Sequence, residues 1–352
     1  MSLLILETKS SSEDITPGST YWKRIRMDPQ IGVYLRAAQQ DGLDPFGIGY
    51  DVLGKPALRP LKATPLESRK YTKPTKKDPE SRLYANQRER DETPEEYGKR
   101  CLDAIIAEPD AYYQRALPVR LLQEQHDGAV DVWQTAQTMR EARRLNVFPR
   151  NPDACFQWSR ACDFLAACCG DVPIDDPLLF RKEEKEHEEL EDIFETDRVV
   201  LTQSSMRTFR ACPRRYHIRY VLRVRPVVKS GALRTGSSVH RGVEVLRKGG
   251  TLEEACAALD HEDPFDYERE RAMLIGYVAR WGDPTLGIVA AEQQFEVDLI
   301  NPETGAASRT FRLAGKMDAL YEGDPIAFLN GTRQLGGVGP TAGSTPATEA
   351  EV

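Results

Sequence analysis

No stretch of the 352 residues approaches the roughly 20 consecutive apolar positions that a membrane-spanning helix needs. The opening MSLLILETKS carries charge too early for a secretory signal, so export is not expected and a cytoplasmic location is. A disulfide framework is missing as well. Seven cysteines are few for this length and sit in clusters, which in a reducing compartment reads as metal ligands or buried thiols. There is no overall excess of cations. Lys and Arg number 48 against 55 Asp and Glu, a formal net charge of −7, which argues against a generally cationic nucleic-acid binder. What is present, 40 % hydrophobic and 29 % charged residues, is a globular composition with room for one large domain or two ordinary ones.

The charge is laid out unevenly. Residues 181–198, RKEEKEHEELEDIFETDR, hold nine acids against four bases. From Met206 to Arg247 there are eleven Lys/Arg against the single acid Glu244, a surplus that attracts phosphates. Two helical faces that pair with each other are the simpler explanation of the same pattern. The acidic run has few apolar positions and reads as a solvated linker, giving the division 1–170, linker 171–200, 201–322 and a disordered tail 323–352. The end of that tail, 331–352, is Gly, Thr, Pro and Ala with almost no large apolar residue.

Local signals place the elements. Leu3–Leu6 reads as a strand, Asp28–Gln40 as a helix, and the Pro- and Lys-rich 55–82 as a long surface excursion. Thr93-Pro-Glu-Glu starts a helix, with Thr as the cap and acids at the positive end. Val119–Asn146 has helical apolar spacing. Helices are expected over Ser204–Tyr220 and, after a turn at Gly236, over Ser237–Lys248. Phe295–Leu299 and Thr310–Leu320 read as a hairpin closed by Asn301–Gly305.

Four short signals carry chemistry. Glu7-Thr8-Lys9 ends an apolar strand, and residues two apart on a strand share a face. A carboxylate there can hold a divalent metal while the ammonium orients water or offsets phosphorane charge; the plain alternative is an edge-strand ion pair. Gly315-Lys-Met-Asp318 offers a strand-borne carboxylate suited to a hard cation. Gly236-x-x-x-His240 puts one histidine on a helix, where a structural role is the ordinary one. Gln30-x-x-x-Tyr34 sets an amide and a phenol on one helical face.

Together with Arg207-Thr-Phe-Arg-Ala-Cys212-Pro-Arg-Arg-Tyr216, these motifs resemble the PD-(D/E)XK nuclease superfamily, and within it the RecB/AddB-like branch. The resemblance touches residues 1–52, 150–170 and 200–322. It implies an α/β fold, a small mixed sheet flanked by helices in the manner of a restriction-endonuclease-like core. It implies magnesium- or manganese-dependent hydrolysis of DNA, most commonly from single-stranded ends, in repair or recombination in a bacterial or phage-infected host. His240, Asp318 and Glu7 would bind the metal, with the Thr8 carbonyl as a further ligand. Lys9 would position the water, and Gln30 and Tyr34 would lie beside the site. Glu292 matches an acidic position found in relatives. Arg210, Arg214 and Arg215 are the expected phosphate contacts. DNA and a helicase or recombination protein are the implied partners.

Cys155, Cys162 and Cys168, with Cys212 beyond the linker, can ligate a [4Fe–4S] cluster, which would staple the two regions as in some relatives. Cys169 competes with Cys168 for the third position, and Cys168 is favoured. Zinc and plain buried thiols are the alternatives. Cys101 and Cys256 read as core residues.

The motif order departs from the family. Relatives run Cys, His, Asp, Glu-x-Lys, Gln-x-x-x-Tyr, three Cys, whereas this chain begins at Glu7-x-Lys9 and reaches Cys212, His240 and Asp318 last. It looks like a circular permutation or a half-swap, so the strands at residues 3–9 and 310–320 are expected side by side in a monomer, or across a swapped dimer. The competing reading is a catalytically inactive iron–sulfur DNA-binding or scaffold module.

Overall fold

Apolar runs at the two extremes of the chain build a single sheet. The structure is a computed structural model describing residues 2–73, 80–119, 121–157, 160–187, 190, 197–228, 231–260 and 263–331. Six strands form the sheet: β1 (Ser2–Ser11), β2 (Gly47–Gly54), β3 (Tyr113–Ala116), β4 (Val199–Leu201), β5 (Ile288–Ile300) and β6 (Ala307–Gly323). The helices that frame the site are α1 (Pro29–Gln40), α2 (Pro94–Ala107), α3 (Leu122–Leu145), α4 (Gln203–Ala211), α5 (Gly231–Arg247), α6 (Pro264–Trp281) and α7 (Pro325–Asn330). Their order across the sheet is β3-β2-β1-β6-β4, with β5 also paired to β6. β1 runs parallel to β2 and antiparallel to β6, so this is a mixed α/β fold with a central sheet flanked by helices.

The sheet forks. The β1–β6 ladder runs from Ser2 opposite Gly323 to Leu6 opposite Ala319 and stops there. Farther along β6, at 311–313, β4 takes the edge that β1 has left, while β5 follows the other edge. Backbone groups in the gap need other partners. The Thr8 N–H finds one in Asp318 Oδ2, at 2.6 Å, across 310 positions of sequence.

Two cores hold this frame. One packs α1, α3 and α4 against the strands through Ile5, Ile31, Tyr50, Met139, Phe209 and Phe311; the other gathers α2, α5 and α6 around Tyr97, Val239, Val243, Met273 and Tyr277. Local chemistry sets the helix starts. Asp28 caps α1 by accepting from the Gln30 N–H at 2.9 Å; at α2 Thr93 is the cap as expected, and Glu96 completes a capping box with it.

Several expectations need correction. Gly236 is no turn: α5 runs through it, and the missing side chain instead permits close approach, since a Cβ there would lie 3.1 Å from Ser10 Oγ. The helix expected over 204–220 breaks at Cys212-Pro213, because Pro213 has no N–H to continue the ladder; a short turn (Pro213–Tyr216) and a π-turn (His217–Val221) follow. The segment 171–200 is not simply solvated. Phe180–Lys182 pairs with Val224–Pro226, and His187 is buried against Tyr220 with a ring nitrogen 3.1 Å from the Val200 carbonyl; residues 188–189 and 191–196 lie outside the described residues. The tail expected from 323 starts as ordered chain, for α7 buries Phe328 against Leu4, Leu6 and Tyr321. The disorder expected for 332–352 falls outside the described residues. Among the described residues, no helix is long and apolar enough to cross a membrane.

Candidate metal centre and cleft

A cleft of about 650 Å³ opens at the fork. Glu7, Thr8, Lys9, Gln30, Tyr34, His240 and Asp318 all line it, so the motifs from both ends of the chain meet there. The Arg residues do not converge in the same way. Arg214 and Arg215 line a separate small cavity with the cysteines, and the cleft is instead lined by Arg207, together with Lys55 and Lys316.

β1 presents Glu7 and Lys9 on the face that meets the start of α1. Glu7 Oε1 accepts from Lys9 Nζ at 2.5 Å and from Gln30 Nε2 at 2.9 Å, and Gln30 Oε1 accepts from Lys9 Nζ at 3.0 Å. The three side chains form a closed triangle. Glu7 Oε2 is buried and has no hydrogen-bond partner among the described residues. A lone buried carboxylate oxygen is costly unless something cationic meets it. Tyr34, one turn along α1, donates to the Lys316 carbonyl at 3.0 Å and packs edge-on to Phe295.

From the other side come Asp318, His240 and Glu292. His240 Nε2 lies 3.3 Å from Asp318 Oδ1 and 3.8 Å from Glu292 Oε1. One donor atom from each of the three fits within a span of 4.8 Å. β5 and β6 pair Gln293 with Met317 and Ala291 with Ala319, which sets Glu292 across from Asp318. Glu292 has φ +57°, a left-handed conformation that costs a non-glycine residue about 1–2 kcal/mol. Such strain concentrates at functional sites. The other Glu292 oxygen is gripped by Lys316.

Electrostatics fit a cation. Burial pushes Glu7 up to about 7, helped by the neighbouring Asp318 charge and opposed by Lys9 and Gln30. Burial likewise lifts Asp318 to about 6, against the pull of the Thr8 N–H. Burial holds the His240 imidazole below its ordinary value although Glu292 draws it upward, so its lone pair is free near neutrality. Burial also works against the Lys9 ammonium, but Glu7 and Asp318 outweigh it and keep the group charged. Two carboxylates that hold protons too tightly, a neutral imidazole and an orphaned oxygen together make a donor set suited to magnesium or manganese.

The sign of the pH dependence follows. Both carboxylates bind protons more tightly folded than unfolded, so their contribution to stability is complete below the ordinary carboxylate range and is lost as pH rises through about 6 and about 7. A divalent cation competes with those protons. Added Mg2+ or Mn2+ is therefore expected to raise the melting temperature more near pH 8 than near pH 5. Calorimetry at the two pH values checks this, and an equal rise at both would contradict it.

Behind the site lies a network that no motif announced. Arg247, at the end of α5, donates to Thr8 Oγ1 at 2.7 Å and to Asp51 Oδ2 at 3.1 Å. Asp51 also accepts from Tyr277 at 2.6 Å and from Arg115 at 3.2 Å. Thr8 and Asp51 stand opposite each other in the β1–β2 register. The one sequence signal is Asp51 itself, a lone charge in the apolar run GIGYDVLG. Lys316 and Arg207 sit inside motifs already singled out, yet their part in the cleft depends on topology.

Residues 200–327 match the family model of the PD-(D/E)XK nuclease superfamily. Members of that superfamily are metal-dependent nucleases. The matched segment carries His240, Glu292 and Asp318, while Glu7, Lys9, Gln30 and Tyr34 lie outside it and reach the same cleft through the fold. No curated protein and no solved structure matches the chain.

Cys155, Cys162, Cys168 and Cys212 line one small cavity, whereas Cys169 is exposed and is not among its lining residues. Among the described residues, no three thiols lie close enough to share a single ion. Burial raises the Cys155 and Cys168 thiols above their usual value, with Cys162 and Cys212 adding to it.

Proposed function

We propose that the protein is a divalent-metal-dependent deoxyribonuclease acting on DNA ends, with its superfamily motifs in permuted order. The observation that carries this is the junction at the fork, where the Thr8 N–H is bonded to Asp318 and both ends of the chain supply carboxylates to one cleft. His240, Asp318 and Glu7 would hold the metal, with Glu292 and the Thr8 carbonyl as further ligands. The metal would supply Lewis-acid activation and a nucleophilic water at neutral pH. Lys9 orients the attacking water and offsets charge growing on the phosphorane. Gln30 fixes both Glu7 and Lys9, and Tyr34 ties α1 to β6 beside them. Arg207 and Lys55 on the cleft wall, with the exposed Arg210 one turn farther along α4, hold the DNA backbone. Residues 1–170 and 201–322 then act as the two halves of one core.

Cys155, Cys162, Cys168 and Cys212 are proposed to hold a [4Fe–4S] cluster. The shared cavity favours it, and Arg150, Arg214 and Arg215 around that cavity suit the negative charge of a thiolate-bound cluster. Anaerobically prepared protein is expected to be brown, with visible absorbance that Cys212→Ser removes; colourless protein carrying zinc contradicts the cluster.

The test of the nuclease is degradation of end-labelled single-stranded and duplex DNA with Mg2+ or Mn2+, against a chelator control and Lys9→Ala. Cleavage that needs the metal and is lost in Lys9→Ala while DNA is still bound supports the enzyme. Absence of cleavage with any divalent metal leaves the iron–sulfur binding module as the better reading.

A further inference from the structure

The segment between β2 and α2 is the part of the chain that this function does not use. Residues 60–73 and 80–92 form the two courses of an arm, joined by backbone hydrogen bonds. Glu92 donates to Leu61, Thr64 to Arg88, and Thr72 and Tyr84 to Arg82 and Lys70, flanking a bridge between Tyr71 and Leu83. Its root is firmly held. The Tyr97 hydroxyl donates to the Leu58 carbonyl at 2.9 Å, and Arg100 binds both the Arg59 carbonyl and the Glu92 carboxylate. Lys55, a few residues before the arm, lines the cleft, so the arm rises from the cleft wall.

The arm has almost no core. Among its described residues only Glu92, at the root, is buried, while Tyr71 and Tyr84 are 48 % and 45 % exposed. Packing does not explain two tyrosines there. The first course is rich in cations, with eight Lys/Arg and one acid from Lys55 to Lys77, while the second course carries most of the arm's acids. The acids of the root are consumed by Lys62, Arg100 and backbone N–H groups. Lys70 and Lys73 have no carboxylate partner among the described residues.

The register orders these side chains. With Tyr71 opposite Leu83, the next pairs are Lys70 with Tyr84 and Thr72 with Arg82, and alternation puts those four on one face. That face therefore sets an exposed ring beside Lys70 and beside Arg82, whose 3.5 Å pair with Glu80 is solvent-exposed and weak enough to exchange for a phosphate. Rings take up bases only where base faces are free, and cations take up the phosphates between them, which is the pattern of single-strand binding.

We propose that the arm binds single-stranded nucleic acid through Lys70, Arg82 and Tyr84, gripping the strand that leads to the cleft; the inference rests on the nuclease reading. Tyr84 stacks on a base, and Lys70 and Arg82 contact the adjoining phosphates. A duplex, whose bases are covered, gains only the charge.

The probe is a fluorescein-labelled oligothymidine, its anisotropy read without divalent metal over a range of salt. Tyr84→Ala is expected to weaken binding about 5- to 150-fold, the value of one stacked base. Lys70→Ala with Arg82→Ala is expected to flatten the slope of log affinity against log salt by roughly 0.7 per cation removed. The replaced side chains are exposed, so unchanged thermal unfolding identifies folded variants, and Tyr84→Phe is expected to restore binding. Unchanged affinity and slope overturn the inference, as does an equal loss on blunt duplex, or variants whose only defect is on anionic vesicles. The two readings separate cleanly. Metal-dependent cleavage with unaltered single-strand binding in the arm variants removes the arm and keeps the nuclease; weakened binding by Tyr84→Ala in a protein that never cleaves keeps the arm and removes the nuclease.

Discussion

Lys9→Ala is expected to lower kcat for DNA hydrolysis by about 10²- to 10³-fold at saturating magnesium, the usual cost of removing one aimed donor from a charge-developing site. The loss has two sources. The ammonium that would face the attacking water is gone, and the triangle with Glu7 and Gln30 loses its cation. Glu7, already lifted to about 7 by burial and by Asp318, then holds its proton more tightly. The metal dependence should therefore shift to higher concentration as well, and more so at lower pH. Quantified release of end label over a magnesium series measures both effects. A variant within about tenfold of the parent in kcat would show that Lys9 is only the partner of Glu7.

Arg247→Met is expected to destabilise the fold by about 3–5 kcal/mol, read from the midpoint of urea unfolding. Arg247 and Asp51 are both buried, and the guanidinium serves Asp51 and Thr8 together. Without it, Thr8 Oγ1 loses its donor and Asp51 keeps only Arg115 and Tyr277. Those survivors favour the lower end of the range. A shift below about 1 kcal/mol would mean that Arg115 and Tyr277 suffice for Asp51.

Much of the site was legible because its residues sit in short, periodic patterns. Glu7 and Lys9 share a strand face by alternation, and Gln30 and Tyr34 share a helix face by one turn. What sequence could not give was decided over long range. The Arg247–Asp51 pair spans 196 positions and joins residues that carry no motif. Glu292 reaches His240 and Asp318 through a left-handed backbone, which no propensity marks. Arg214 and Arg215 read as phosphate contacts on one long helix, but Pro213 breaks that helix and the chain beyond it turns toward the cysteines. Gly236 reads as a turn because glycine usually marks one, while here it makes room for Ser10 inside α5.

The fork in the sheet also governs when this protein can first act. Glu7 leaves the ribosome some 310 residues ahead of the aspartate it must meet, an interval of about 15–60 s at ordinary rates of synthesis. Until β6 arrives, β1 has β2 on one side and a bare edge on the other. A growing chain therefore holds Glu7 and Lys9 on a half-built sheet, and the proposed centre can assemble only once β6 has been made.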